Sequence, residues 1–122
     1  MANDFKRFTK PDVGTSTGAS SDAVYTVPAG AGSSALESIV IGITLANKAA
    51  TGITADVFLD NYDGSNDVYI VKGASIPAGS SLEIMSGNKI VVQNDGTTGD
   101  VIRVSSSAAT SLDATVTVLE DV

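Results

Sequence analysis

The chain has 122 residues, a net charge of −7, and no cysteine, histidine or tryptophan. This length fits one domain, which can bury about two-thirds of its unfolded surface without a disulfide or a metal. The missing residue types exclude thiol chemistry and remove the commonest general base and transition-metal ligand. No apolar run approaches the roughly 20 residues that span a bilayer, so we expect no membrane partner.

The charge is distributed unevenly along the chain. Residues 1–20 carry three basic and two acidic side chains, whereas the remainder carries four basic and twelve acidic ones. Because an acidic body repels phosphate, we expect no nucleic-acid partner. The N-terminal stretch MANDFKRFTK has no apolar segment behind its basic residues, so we predict no signal peptide and synthesis in the cytoplasm.

Residues 1–21 have the composition of an extended N-terminal arm. The stretch TKPDVGTSTGASS shows no periodicity and cannot bury enough apolar surface to order by itself. Two interpretations stay open: a floppy terminus, or an arm that orders on a neighbouring subunit. The motif DFKRF favours the second, with its phenylalanines as apolar anchors and its cations directed to acidic surface. The predicted subunit contacts are Phe5, Lys6, Arg7, Phe8 and Lys10.

From residue 22 onward the pattern is one of short β-strands. Alternation at period two is clearest in ESIVIGITLAN, GITADVFLD and LDATVTVLE. In the first, Ile39, Ile41, Ile43 and Leu45 are predicted to share one face. About eight such runs without a helix predict one all-β domain over residues 22–122, an antiparallel β-sandwich or jelly roll.

Two turn signals recur between these runs. VPAG (27–30) and IPAG (76–79) each combine a proline that cannot donate to a ladder with a glycine that permits reversal. We predict that the chain crosses between sheets at both. The repeat is either a worn duplication or a favourable turn used twice. Residues 86–88, Ser-Gly-Asn, are predicted to join 81–85 to 89–93 as a tight hairpin.

The sequence contains no recognisable catalytic constellation. Serines are abundant, but histidine is absent, and no spacing supports a serine paired with Lys72 or Lys89. We therefore predict no enzymatic activity and no cofactor. The oxygen-rich run LDNYDGSNDVY is either a solvated loop or a ligand or calcium loop, although its spacing is not that of an EF-hand, and QNDGTTGD is similar in composition. The residues singled out are Asp60, Tyr62, Asp63 and Asp67; no metal is assigned.

The stretches MANDFKRF, VPAG, GITLAN, IPAGSS and SSSAATSLDATVTVLE resemble small virion structural proteins of tailed phages, particularly those that infect marine bacteria and cyanobacteria. The similarity covers nearly the whole chain, lies in the β-scaffold and carries no functional residue with it. It implies a component of the virion that is made in the host cytoplasm.

The expected function is therefore that of a capsid decoration, or cement, subunit. The sandwich would sit on the shell as a dimer or trimer, with the major capsid protein as partner and the arm reaching to neighbours. Low charge on outward faces such as Val40-Gly42-Thr44 favours self-association. The alternatives are a neck or tail component, and a host-surface or glycan-binding module that uses loops 60–67 and 94–99 with Tyr62 as the stacking ring.

Overall fold

The computed structural model describes residues 4–64, 67–85 and 89–120, which form nine β-strands in two antiparallel sheets and one short 3-10 helix, Gly18–Ser20. This confirms the all-β sandwich. The described part contains no helix long and apolar enough to cross a membrane. The strands are β1 (Asp4–Lys10), β2 (Asp22–Thr26), β3 (Leu36–Asn47), β4 (Ile53–Asp60), β5 (Val68–Ile76), β6 (Ser81–Glu83), β7 (Ile90–Asn94), β8 (Val101–Ser106) and β9 (Leu112–Glu120).

The strand order is that of a jelly roll. The first sheet runs β1-β9-β3, with β6 and β7 both paired to the far side of β3, and the second runs β2-β8-β4-β5. If β6 and β7 are taken as one interrupted strand, the strands form a long two-stranded ribbon in which the first strand pairs with the last, the second with the second-last, and so on inward. The pairs are β1 with β9, β2 with β8, β3 with β6 and β7, and β4 with β5. Rolling that ribbon brings β3 onto β9 and β4 onto β8, which is the jelly-roll connectivity.

The predicted hairpin between 81–85 and 89–93 is wrong. Among the described residues, β6 pairs with residues 44–46 of β3 and β7 pairs with residues 36–40, so the two follow one edge of the same strand. An isolated hairpin buries little, whereas a twelve-residue partner strand lets this segment place Val92 fully in the core. The Ser-Gly-Asn signal at 86–88 lies outside the described residues.

The core lies between the two sheets. In β9 the predicted alternation is confirmed, since Leu112, Ala114, Val116 and Val118 are at most 1% exposed. In β3 it holds only in part, because a register shift between Val40 and Gly42 turns the following side chains to the opposite face.

The shift in β3 corrects two details of the sequence reading. Val40 is fully buried together with Ile43 and Leu45, while Ile39 and Ile41 are only half-buried. Val40 therefore belongs to the core, and the weakly charged outward face that was expected to favour self-association does not include it.

Both Pro-Ala-Gly segments lead from the second sheet into the first, between β2 and β3 and between β5 and β6, as predicted. They turn by different means. Gly79 adopts the left-handed conformation at φ 67°, and the N–H of Ser80 donates to the carbonyl of Pro77. At Gly30 the requirement is space, because a Cβ there would lie 2.5 Å from Ser34 Oγ.

Residues 4–21, expected to form most of an extended arm, lie on the body of their own chain. Residues 4–10 form the edge strand β1, paired over its full length with β9. Residues 11–21 then cross to the second sheet: Val13 is fully buried and donates its N–H to Leu112, and the 3-10 helix lies against β4 and β8. Residues 1–3 lie outside the described part.

Candidate functional site

The predicted contact residues of β1 fall into two sets, because successive side chains of a strand point to opposite faces. Phe5 is 75% exposed and Arg7 is exposed as well. On the other face, Lys6 donates from Nζ to Glu120 Oε1 at 2.8 Å, and the ring centroid of Phe8 lies 4.6 Å from that of Tyr25. Lys10 is half-buried at the end of the strand. Only one face of β1 is therefore used by the body.

The contacts on that face surround the buried carboxylate of Glu120. We name this set of residues the docking corner: Lys6, Phe8, Tyr25, Ser38 and Glu120. Glu120 is 6% exposed, and its second oxygen accepts a 2.7 Å hydrogen bond from the Tyr25 hydroxyl. Since that phenol gives its proton to Glu120, the Ser38 hydroxyl 3.0 Å away donates to it. Both carboxylate oxygens are thus satisfied, and one of the two donors belongs to β1.

The electrostatics of the docking corner favour the docked strand. The hydrogen bond and negative charge of Glu120 raise the pKa of Lys6. Burial raises the pKa of Tyr25, and Glu120 adds to that rise while the Ser38 hydroxyl opposes it. A buried carboxylate that loses a partner is strongly destabilising, so undocking β1 requires Glu120 to find another cation or water.

The turn that follows β1 is held by surface ion pairs. Pro11 ends the strand and Asp12 adopts φ 52°, a conformation that few residues other than glycine take. Lys48 Nζ contacts the carboxylates of both Asp12 and Asp113, and the Asp12 N–H donates to Asp113 at 3.0 Å. These groups are about half exposed, where ion pairs contribute little. Residues 11–12 are therefore fastened to the body only lightly.

The acidic loop, whose described residues are 60–64 and 67, uses its carboxylates in contacts within the chain. Asp60 accepts from Arg103 Nε at 2.9 Å, and Asp67 accepts from the backbone N–H of Asn61 at 2.8 Å. Asp63 also has an interaction partner, and Tyr62 is half-buried. Within the described ranges, no three acidic side chains are grouped closely enough to hold a metal ion.

Sequence reasoning missed the residue that ties this loop to its neighbour. Asp100 is 6% exposed and accepts from the backbone N–H of Tyr62 at 2.7 Å and from that of Gln93 at 2.8 Å. It lies in QNDGTTGD, where composition indicated only a second oxygen-rich loop. Its burial, which distinguishes it from the neighbouring Asp95, depends on contacts distant in sequence.

A second polar feature lies on the outer face of the second sheet. We name it the hydroxyl cleft; it has a volume of about 370 Å³ and is lined by Thr15, Thr17, Thr54, Asp56, Lys72, Gly73, Ser105, Ser106 and Ser107. It brings Lys72 close to a run of serines, but the lysine is 65% exposed and lies 4.6 Å above the Tyr69 ring. A lysine that serves as a base is desolvated, and Lys72 is not.

Comparison of the chain with protein-family models, with curated proteins and with solved structures gives no match in any of the three. Function is therefore inferred from the residues and the geometry. The structure brings Lys6 and Phe8 together with Tyr25 and Glu120, leaves Phe5 and Arg7 facing outward, and places the acidic loop on the second sheet.

Proposed function

We propose that this protein is a structural subunit of a phage particle, made in the host cytoplasm and assembled into the virion. The leading placement is capsid decoration, with the body resting on the major capsid protein, and the alternative is the neck or tail. Support for a particle component comes from the resemblance of the β-scaffold to small virion proteins. Support for a role in assembly comes from strand β1.

The observation that carries the assembly role is the contrast between the two edges of β1. One edge pairs with all seven facing residues of β9, while the other is the open end of the first sheet in the described chain. β1 is therefore held to the body from one side only, so it can leave without separating any other pair of strands. Phe5, at 75% exposure, gives β1 an apolar side chain that its own body leaves uncovered.

The mechanism we favour is strand exchange. β1 would leave its own β9 and pair with β9 of a neighbouring copy, remaking the Lys6–Glu120 and Phe8–Tyr25 contacts in trans. Because the same contacts are lost and regained, exchange links subunits at low cost in free energy. Residues 11–12 would act as the hinge. The buried Val13 marks where the fixed body begins.

The placement is tested by adding tagged protein to particles that lack it and imaging them by electron microscopy. Label spread over the heads supports decoration, and label at one spot on the neck or tail supports the alternative. Absence of label from every particle contradicts a structural role.

The same assay tests the strand. A chain without residues 1–10 should keep a folded body and fail to incorporate, whereas Phe5→Ala should fold normally and incorporate less. Full occupancy by the truncated chain would show that β1 has no part in assembly.

A further inference from the structure

The hydroxyl cleft contains a buried hydroxyl that no contact within the described residues satisfies. Ser105 is 4% exposed, yet no described residue hydrogen-bonds to its hydroxyl; the hydroxyls of Thr15, Thr17 and Thr54 also have no partner among the described residues, but these three residues are exposed. A buried hydroxyl without a partner is destabilising. Ser106 and Ser107 differ, since the Ser106 hydroxyl donates to the carbonyl of Ala108 and the Ser107 hydroxyl accepts from the backbone N–H of Thr54. Four hydroxyl groups therefore remain free around one cavity.

The cleft is shaped by an irregularity in β5. Two residues of β5, Lys72 and Gly73, stand opposite the single residue Asp56 of β4, because the register shifts between Ala55 and Val57. Gly73 adopts φ 65°, and its N–H donates to Asp56 Oδ1 at 2.7 Å. Such bulges re-aim side chains and occur next to binding sites. Asp56 also pairs with Ser105 across β4 and β8, so the two side chains share the outer face.

The chemistry of the lining defines the ligand class. Asp56 and Lys72 contribute one charge of each sign, 4.0 Å apart, so the cleft has no net charge with which to prefer an anion or a cation. Hydroxyl groups both donate and accept, and they are complemented by a ligand that does the same. A volume of about 370 Å³ lies at the small end of the range of ligand pockets. We propose that the hydroxyl cleft binds a small, neutral, polyhydroxylated ligand of the sugar class.

This binding site does not depend on the proposed particle role. It also differs from the loop site considered from the sequence, since Tyr62 and the acidic loop are not among the residues that line it. The wall formed by Thr15 and Thr17 belongs to the segment that crosses from β1 to β2. That segment is held to the second sheet by the Ser106 N–H, which donates to the carbonyl of Gly14 at 3.0 Å.

The test is a titration of the full chain, followed by the amide signals of the cleft in NMR spectra. The probes are glucose, galactose, mannose and N-acetylglucosamine, each to about 50 mM, which exceeds the millimolar dissociation constants of weak sites. Inorganic phosphate is the anionic probe. We expect saturable shifts at Thr15, Thr17, Asp56 and Gly73 with at least one sugar, and none with phosphate. Absence of saturation with every sugar, or equal binding of phosphate, would overturn the assignment.

Two variants sharpen the test. Ser105→Ala removes the buried hydroxyl without adding atoms and should weaken sugar binding at least tenfold while leaving the fold intact, as judged by its thermal transition. Ser81→Ala, on an exposed edge strand of the first sheet, is the matched control and should bind as the parent does. If Ser105→Ala binds as tightly as Ser81→Ala, the hydroxyl cleft is not the site.

Discussion

Strands β1 and β9 lie side by side in the same sheet, matched residue for residue, and are held in opposite ways. β9 has a neighbour on each side and buries every second side chain, four of them to an exposure of 1% or less. Among the described strands β1 has one neighbour, and it contains no fully buried residue; it is held by a backbone ladder and by Lys6 and Phe8 at the docking corner. β9 is therefore part of what makes the body fold, while β1 is an addition to a body that is already closed.

The largest expected effect on the free energy of unfolding comes from a substitution in the buried face of β9. Leu112→Ala removes a fully buried side chain and leaves a cavity, so the free energy of unfolding should fall by about 2–5 kcal/mol. Denaturant titration measures it. Val91→Ala, at a 56% exposed position of β7, is the control and should change the value by less than about 0.5 kcal/mol. A Leu112→Ala loss no larger than that of the control would contradict the assigned core.

A smaller effect is expected on the β1 side, where two phenylalanines of one strand provide a matched pair. Phe8→Ala loses the packing on Tyr25 and should lower the free energy of unfolding by roughly 1–2 kcal/mol, which is less than a fully buried aromatic contributes. Phe5→Ala should leave it within about 0.5 kcal/mol, because that ring is exposed. Equal losses from the two substitutions would mean that β1 is not docked through its Phe8 face.

High pH should weaken the docking corner. The pKa values of Lys6 and Tyr25 are both raised in the folded chain, so their stabilisation is fully present below their unfolded pKa values near 10 and is lost as the pH rises through the folded ones. The free energy of unfolding should therefore fall above about pH 10. Measured from pH 8 to 11.5, the fall should be smaller in Tyr25→Phe than in the parent. Identical pH profiles would contradict the role of the phenol.

The smallest effect is expected at the hinge in acid. Hydrogen bonds from Lys48 and from the Asp12 backbone lower the pKa of Asp113. Its contribution is thus present above the unfolded pKa near 4 and is lost as the pH falls through the folded value. Asp113→Asn should flatten the stability profile slightly between about pH 4 and 2. An unchanged profile would show that the contacts of Lys48 do not fasten the turn.

The sequence predicts those parts of the structure that depend on neighbouring residues. Two local patterns are found in the fold. One is the alternation of Leu112, Ala114, Val116 and Val118, and the other is the pair of Pro-Ala-Gly segments that end one strand before the next begins. The bulge at Ile41 has one local signal, Gly42, but its effect on the two faces cannot be predicted, because every residue from 39 to 41 is β-branched and fits either face. The joint edge made by β6 and β7 also depends on the length of β3, which local turn chemistry does not reveal.

The candidate sites were less predictable, because they join distant parts of the chain. Lys6 and Glu120 are 114 positions apart, and the sequence indicated a cationic arm without indicating its acidic partner. The hydroxyl cleft unites residues 15–17, β4, β5 and β8, and its individual serines and threonines resemble ordinary surface residues until the sheet brings them together.

Strand exchange by β1 is tested most directly with a cross-strand disulfide. Arg7 and Thr117 are paired across β1 and β9, at a separation that a disulfide spans, and the natural chain contains no cysteine. Arg7→Cys combined with Thr117→Cys would be oxidised in assembled particles and resolved on a denaturing gel, with each single variant as control. Exchange predicts covalent dimers and higher ladders from assembled protein; bonds formed only within single chains would show that β1 stays on its own body.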